Sequence, residues 1–145
     1  MSRSTPESIP FVLTSKDPSF SSLLEHLCHD SSLRLQTTAG PSITLETIRN
    51  HSPAFVLLDL DSMDPVETSR LILKITLVSS IPVFLTGTEA IPGHSILDSL
   101  FIAGATGCLL KPAGKTSLCL ASETGTLFRD KLFALASESR ERSVR

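Results

Sequence analysis

Three residues of different chemistry follow three short apolar runs in this sequence. Asp59 follows AFVLL, Thr86 follows IPVFL, and Lys111 follows CLL. A carboxylate, a hydroxyl and an ammonium that meet in one crevice can accept a phosphoryl group: the carboxylate attacks, the ammonium pairs with a phosphoryl oxygen, and the hydroxyl donates a hydrogen bond. Gly87, next to Thr86, leaves room for that group. Each residue alone is weak evidence, but together they predict a phosphoryl-accepting site.

Alternating strands and helices are needed to bring these residues together. Short apolar runs predict the strands Pro10–Leu13, Leu33–Thr37, Ala54–Leu58, Ile81–Leu85 and Cys108–Leu110. Helical spacing predicts a first helix that begins at Pro18, and further helices near Ser42–His51, Pro65–Val78, His94–Ala103 and Glu123–Ala136. Five βα units with short loops predict an α/β fold with a parallel sheet covered on both faces. In such sheets the chemistry collects at the carboxyl ends of the strands.

The composition is typical of one compact domain. A chain of 145 residues with 41% apolar residues can build one continuous core. We predict a domain over 9–136, a flexible tail over 1–8, and a tail or truncated linker over 137–145. A net charge of −2 and the absence of Trp and Tyr argue against nucleic-acid binding. With no membrane-spanning run and no signal-peptide pattern, we expect a cytoplasmic protein with no membrane partner.

The motifs around the strand ends resemble those of the response-regulator receiver family. PAFVLLD, IPVFLTG and AGATGCLLKP match its third-, fourth- and fifth-strand motifs. The resemblance implies a flavodoxin-like (βα)5 sandwich with a five-stranded parallel sheet. It also implies that a histidine kinase supplies a phosphoryl group to Asp59, that Thr86 and Lys111 contact this group, and that the bond between Lys111 and Pro112 is often cis.

Two longer stretches resemble one subfamily, the receiver domain of the chemotaxis protein-glutamate methylesterase. They are KPAGKTSLCLASETGTLFRDKLFALA and TGTEAIPGHS. This narrower resemblance implies a link to chemotaxis. No GxSxG-type nucleophile turn follows the predicted domain, so the esterase activity is not expected from this chain. The chain is then a piece of a longer protein or a free-standing regulator.

The sequence departs from the family where magnesium binds. Receivers carry two adjacent acids after the first strand, and these bind a divalent cation together with the phosphoacceptor. Ser15 and Lys16 stand at those positions. Lys16 supplies positive charge without coordination geometry, and we expect it to pair with Asp59. Candidate ligands for Mg²⁺ are then Asp59 with Asp61 or Asp17, although Asp17 is also expected to cap the first helix.

A second departure from the family lies at the position that usually responds to phosphorylation. Cys108 stands where receivers usually carry an aromatic residue that responds to phosphorylation, so Thr86 lacks its usual aromatic partner. Two interpretations remain open. Either Cys108 merely fills a small pocket, or aromatic switching has been lost.

Two functions are compatible with this pattern. The first is a two-component receiver, phosphorylated on Asp59, that changes its affinity for a signalling protein through a population shift. The second is a pseudo-receiver that acts as a protein-interaction or dimerisation module without phosphotransfer. In the second case a pair between Asp59 and either Lys16 or Lys111 locks the site, and a homodimer is among the expected partners.

Overall fold

Five parallel strands form the single sheet of this chain. The computed structural model describes residues 9–29, 33–88, 95–111 and 123–144. The strands are β1 (Ile9–Thr14), β2 (Leu33–Thr38), β3 (Phe55–Asp59), β4 (Val83–Gly87) and β5 (Gly107–Leu110). Their order, β2-β1-β3-β4-β5, is that of flavodoxin-like folds. The predicted five-stranded parallel sheet is confirmed.

Five helices accompany the strands in the described part of the chain. They are α1 (Pro18–Cys28), α2 (Pro41–His51), α3 (Pro65–Val78), α4 (Ser95–Ala103) and α5 (Glu123–Val144), with a short 3₁₀ turn at Leu60–Ser62. The first three begin with proline, whose fixed φ and missing amide suit the first helical position. None of the helices in the described ranges is long and apolar enough to cross a membrane.

Helix α5 is longer than the sequence pattern predicted. We expected it to end at Ala136, because the residues that follow have no apolar face. The helix continues to Val144. Glu and Arg have good helix propensity, and no Gly or Pro stands in this stretch to end the helix. Loss of an apolar face therefore does not terminate a helix unless a breaking residue accompanies it.

The sheet separates two apolar clusters. Alternate strand residues point to opposite faces, so Phe11, Phe55 and Phe84 lie on the side of α1 and α5, with Phe55 stacked on Phe11 at 4.8 Å between ring centroids. The other side packs strand residues such as Val56 and Leu85 against α2, α3 and α4. Because β3 is central and covered on both faces, its residues are all buried.

Four strands end one or two residues later than predicted, and for β3 and β4 this affects the site residues. Pro82 has no amide for the ladder, so β4 begins at Val83 and includes Thr86 and Gly87. Strand β3 likewise includes Asp59, which is paired in register with Thr86. Asp59 is therefore the last residue of β3 and Thr86 the last but one of β4, and they lie together at the carboxyl edge of the sheet.

Candidate functional site

Asp59 is the centre of a buried polar network at this edge. It is 0% exposed. Its Oδ1 is 2.9 Å from Lys111 Nζ and accepts a hydrogen bond from the Asp61 amide at 3.1 Å. Its Oδ2 accepts a hydrogen bond from Ser15 Oγ at 2.7 Å. Both carboxylate oxygens are therefore occupied by donors that belong to the chain itself.

The ammonium of Lys111 lies between two carboxylates and an aromatic ring. Its Nζ is 2.9 Å from Asp59 Oδ1, 3.0 Å from Asp61 Oδ2 and 4.2 Å from the centroid of the Phe20 ring. The side chain is almost buried. The carboxylates and the ring face together offset the loss of water around the ammonium. Of the two predicted pairs with Asp59, the structure contains the one with Lys111.

The predicted pair between Lys16 and Asp59 is wrong. Lys16 Nζ instead lies 3.2 Å from Glu67 Oε1 on α3, and both side chains are partly exposed. The Lys16 amide donates to Ser62 Oγ at 3.0 Å, which fixes the backbone before α1. The long side chain keeps its ammonium in water at the surface, where desolvation is small. Of the two adjacent residues Ser15 and Lys16, Ser15 is the one that contacts Asp59.

Two hydroxyl groups connect Asp59 to the start of α1. Ser15 Oγ accepts a hydrogen bond from the Asp17 amide at 3.0 Å, and Ser62 Oγ donates to the Asp59 carbonyl at 3.3 Å. The Asp17 carboxylate accepts from the Ser19 amide at 2.9 Å and caps α1. Asp17 thus caps α1, which is the alternative that we expected to its role as a metal ligand. Ser62 was missed by the sequence reasoning, because a serine in a loop carries no distinguishing pattern.

Asp61 connects the loops that follow three strands. Besides contacting Lys111, it accepts hydrogen bonds from the Thr88 amide at 3.0 and 3.2 Å and from Thr88 Oγ1 at 3.2 Å. A Cβ atom on Gly87 would lie 3.2 Å from Asp61 Oδ1. The predicted room beside Gly87 is thus taken up by the Asp61 side chain.

Thr86 and Cys108 behave differently from each other. Thr86 is fully buried, and its Oγ1 has no hydrogen-bond partner in the described ranges. Cys108 is half-buried and packs against the apolar cluster beside α4, and burial raises the pKa of its thiol. This packing supports the interpretation that Cys108 fills a small space. Pro112, and with it the bond to Lys111, lies outside the described residues.

The acidic side chains near Asp59 are the ones that could contribute to a metal site. Across residues 9–29, 33–88, 95–111 and 123–144, no group of three or more His, Cys, Asp or Glu side chains is placed to hold a metal ion. Asp59 and Asp61 are the two acids in contact with Lys111, and they share its ammonium. Mg²⁺ needs near-octahedral oxygen coordination at short range. In this arrangement Asp59 and Asp61 each have an oxygen engaged by the ammonium of Lys111.

Comparisons with known proteins agree on the architecture. No family model and no curated protein sequence matches the chain. Among solved structures it is similar to the response regulator domain of Thermotoga maritima CheB, with 14% identity, a TM-score of 0.69, and coverage of 92% of this chain and 96% of that one. A two-component response regulator from Clostridium difficile gives 12% identity and a TM-score of 0.70, with coverage of 94% and 98%.

A third solved structure supports the same assignment. The CheY-like response regulator receiver domain protein from Methanospirillum hungatei is 17% identical, with a TM-score of 0.66 and coverage of 94% of this chain and 99% of that one. The strand order agrees with this likeness. The chain therefore has the fold of CheY-like response-regulator receiver domains.

Proposed function

We propose that this chain is a pseudo-receiver: a signalling module with a receiver fold that binds other proteins without phosphorylation of Asp59. The observation that carries the proposal is the state of the Asp59 carboxylate, which is fully buried with both oxygens bound by Lys111, Ser15 and the Asp61 amide. A nucleophile must present an oxygen to the phosphoryl donor in line with the leaving group. Here those oxygens serve to hold the edge of the sheet together.

The replacement of two acids by Ser15 and Lys16 supports the same proposal. A second carboxylate beside Asp59 would repel it and require a cation between them. Ser15 instead donates a hydrogen bond to Asp59, and the ammonium of Lys111 balances its charge. The buried Asp59 is thus paired by residues of the chain itself, while Asp61, which shares Lys111, is partly exposed to water. We propose that the site functions without Mg²⁺.

The proposed partners are signalling proteins of the two-component type, including histidine kinases, or a second copy of the chain, in the cytoplasm. A role in chemotaxis rests on the two sequence stretches alone. The likeness to the Thermotoga maritima CheB domain, with a TM-score of 0.69, does not exceed that to the Clostridium difficile regulator, with 0.70.

A phosphorylatable receiver is the second candidate, and one observation favours it. The buried hydroxyl of Thr86 lacks a hydrogen-bond partner in the described part of the chain. Buried polar atoms are normally satisfied, and an exception commonly marks a functional site or an ordered water. A phosphoryl oxygen would supply the missing acceptor. This candidate requires Lys111 and Ser15 to release Asp59 first.

Exposure to acetyl phosphate and to beryllofluoride separates the two candidates. We expect wild-type protein with millimolar Mg²⁺ to show no phosphoryl adduct by mass spectrometry and no change in backbone amide signals near Asp59. Ser15→Asp restores an acid beside Asp59 and is expected to create Mg²⁺ binding. Lys16→Asp alone is not expected to create Mg²⁺ binding, because Lys16 contacts Glu67 rather than Asp59. Ser99→Asp adds the same charge on the exposed surface of α4 and serves as the control.

A phosphoryl adduct on the wild-type protein would contradict the proposal. If one phosphoryl group is transferred to the wild-type chain in a Mg²⁺-dependent reaction, and Asp59→Asn prevents the transfer, the phosphorylatable receiver replaces the pseudo-receiver. Circular dichroism of each variant shows whether the fold is intact, so that a lost signal is not mistaken for lost chemistry.

A further inference from the structure

An exposed apolar surface lies at the edge of the sheet opposite Asp59. Because each helix runs back along the sheet, the ends of α3 and α4 lie near the starts of the strands. Four aliphatic side chains there are 48%, 83%, 57% and 87% exposed, namely Leu73, Leu77, Val78 and Ile102. We call these four residues, together with the neighbouring cations Arg70 and Lys74, the α3–α4 patch.

A glycine brings the two helix ends into contact. Gly104, with φ +129°, lies so close to α3 that a Cβ atom on it would be 2.6 Å from Thr76 Cγ2. Thr76 precedes Leu77, and Ile102 comes two residues before Gly104. The ends of α3 and α4 that carry the highly exposed Leu77 and Ile102 are thus in contact with each other.

The fold does not need the apolar side chains on this face of α3. The helix buries Thr68, Leu71, Ile72 and Ile75 against the core. With 3.6 residues per turn, Leu73 and Leu77 fall on the opposite side of the helix. A surface helix usually carries polar residues there. Leucines at these positions indicate contact with something outside the domain, as contiguous exposed apolar surface commonly does.

The charges beside the leucines on α3 have one sign, and on α4 the exposed acid Asp98 comes four residues before Ile102. Between Thr68 and the end of α3, the charged residues are Arg70 and Lys74, and both are exposed. Neither forms an ion pair within the described ranges. Each cation precedes a leucine of the patch by three residues, which places it beside that leucine on the helix surface. The patch therefore combines an apolar centre with unpaired positive charge.

We propose that the α3–α4 patch binds a partner protein through an amphipathic helix with an aliphatic stripe and flanking carboxylates. Burial of Leu77 and Ile102 in the complex supplies the affinity, and the pairing of Arg70 and Lys74 with carboxylates sets the orientation. The inference rests on the proposed function in treating the chain as a protein-interaction module. Its test does not involve Asp59, so either proposal can fail while the other holds.

Two other occupants fit the patch less well. Attraction to an anionic bilayer normally requires a cluster of about four to eight basic residues, and the patch has Arg70 and Lys74. A second copy packed through the same patch would bring the cations Arg70 and Lys74 of both chains into one interface. Like charges that face each other weaken such an interface. A partner helix that carries acids complements both features of the patch.

The probe is a helix-stabilised synthetic peptide with leucine at every third or fourth position, flanked by glutamate. A matched peptide carries lysine in place of each glutamate. With the full chain labelled for NMR, we expect the acidic peptide to shift the amide signals of α3 and of the end of α4. The affinity of the basic peptide is expected to be lower by a factor of about five or more, because each exposed ion pair contributes modestly.

Variants of the patch sharpen the test. Leu77→Ser together with Ile102→Ser should weaken acidic-peptide binding about tenfold or more, because each removes a large apolar contact. Arg70→Glu together with Lys74→Glu should reverse the preference between the two peptides. Leu127→Ser, at a 53% exposed leucine of α5, is the control and should leave binding unchanged.

Several outcomes overturn the proposal. These are the absence of shifts with the acidic peptide, equal binding of both peptides, or shifts confined to other surfaces. Co-sedimentation with phosphatidylserine vesicles that Leu77→Ser abolishes would assign the patch to a membrane surface instead. A dimer detected by analytical ultracentrifugation and lost in the same variant would assign it to a second copy.

Discussion

Two buried polar clusters lie at the same edge of the sheet, and they are built differently. The cluster at the ends of β3, β4 and β5 contains Asp59 and Lys111, a negative and a positive charge 2.9 Å apart. The cluster at the ends of β1 and β2 contains three threonine hydroxyls, 2.7 to 3.0 Å from one another, contributed by Thr14, Thr38 and Thr44. Thr44 also donates to the Gly40 carbonyl at 2.8 Å.

This difference determines how each cluster responds to the loss of one of its side chains. Hydroxyls are neutral and can reverse their donor and acceptor roles, so the loss of one leaves the others with partial satisfaction. A buried charge has no such freedom, because its partner is needed to offset desolvation. The threonine cluster therefore supports the fold, whereas the Asp59 cluster is the place where a single change of charge alters the state of the domain.

The largest expected effect is that of Lys111→Met. Methionine fills a similar volume but leaves Asp59 buried without its cation, and removal of one member of a buried pair costs about 3–5 kcal/mol. Urea unfolding at neutral pH measures the change in the free energy of unfolding. The double variant Asp59→Asn/Lys111→Met should be more stable than Lys111→Met alone, because the unpaired Asp61 that remains is partly exposed and no fully buried charge is left unpaired. A loss below about 1 kcal/mol for Lys111→Met would mean that the pair is not fully desolvated.

A smaller effect is expected from Thr44→Val. Valine keeps the shape of the side chain and removes the hydroxyl that contacts Thr14, Thr38 and the Gly40 carbonyl. The expected loss in the free energy of unfolding is about 1–3 kcal/mol. Thr37→Val, at an exposed position of β2, is the matched control. If Thr44→Val equals or exceeds Lys111→Met in effect, the contrast between the neutral and the charged cluster is incorrect.

The smallest effect is expected from Lys16→Met. Its ion pair with Glu67 is partly exposed on both sides, and such pairs contribute about 0–1 kcal/mol. The same unfolding measurement is used, repeated at high salt, where wild type and variant should converge further. A loss comparable to that of Lys111→Met would indicate that Lys16 contributes to the buried network after all.

Much of this architecture could be predicted from the sequence. Apolar runs and helical spacing predict the parallel sheet, and α3 was predicted with the bounds that it has, Pro65–Val78. Convergence of Asp59, Thr86 and Lys111 follows from their positions after strands, because the carboxyl ends of parallel strands meet at one edge. Strand bounds shifted by a few residues where Pro82 lacks an amide for the ladder.

The side-chain contacts could not be predicted in the same way. Sequence places Ser15 and Lys16 near Asp59 but does not say which of the two side chains points inward. The structure resolves this through the Lys16 amide, which is fixed by Ser62 Oγ. Phe20 is a buried core residue of α1, and its ring also contacts the Lys111 ammonium. Such dual contacts depend on backbone positions that periodicity does not encode.

The link between Asp61 and Thr88 has a consequence for hydrogen exchange. Thr88 lies in an exposed loop, yet its amide proton is held by the carboxylate that also contacts Lys111. Exchange of that proton with solvent requires Asp61 to move away, which loosens its contact with the ammonium beside Asp59. A surface amide after β4 thus reports the opening of the contact between Asp61 and Lys111, next to the buried pair of Lys111 with Asp59.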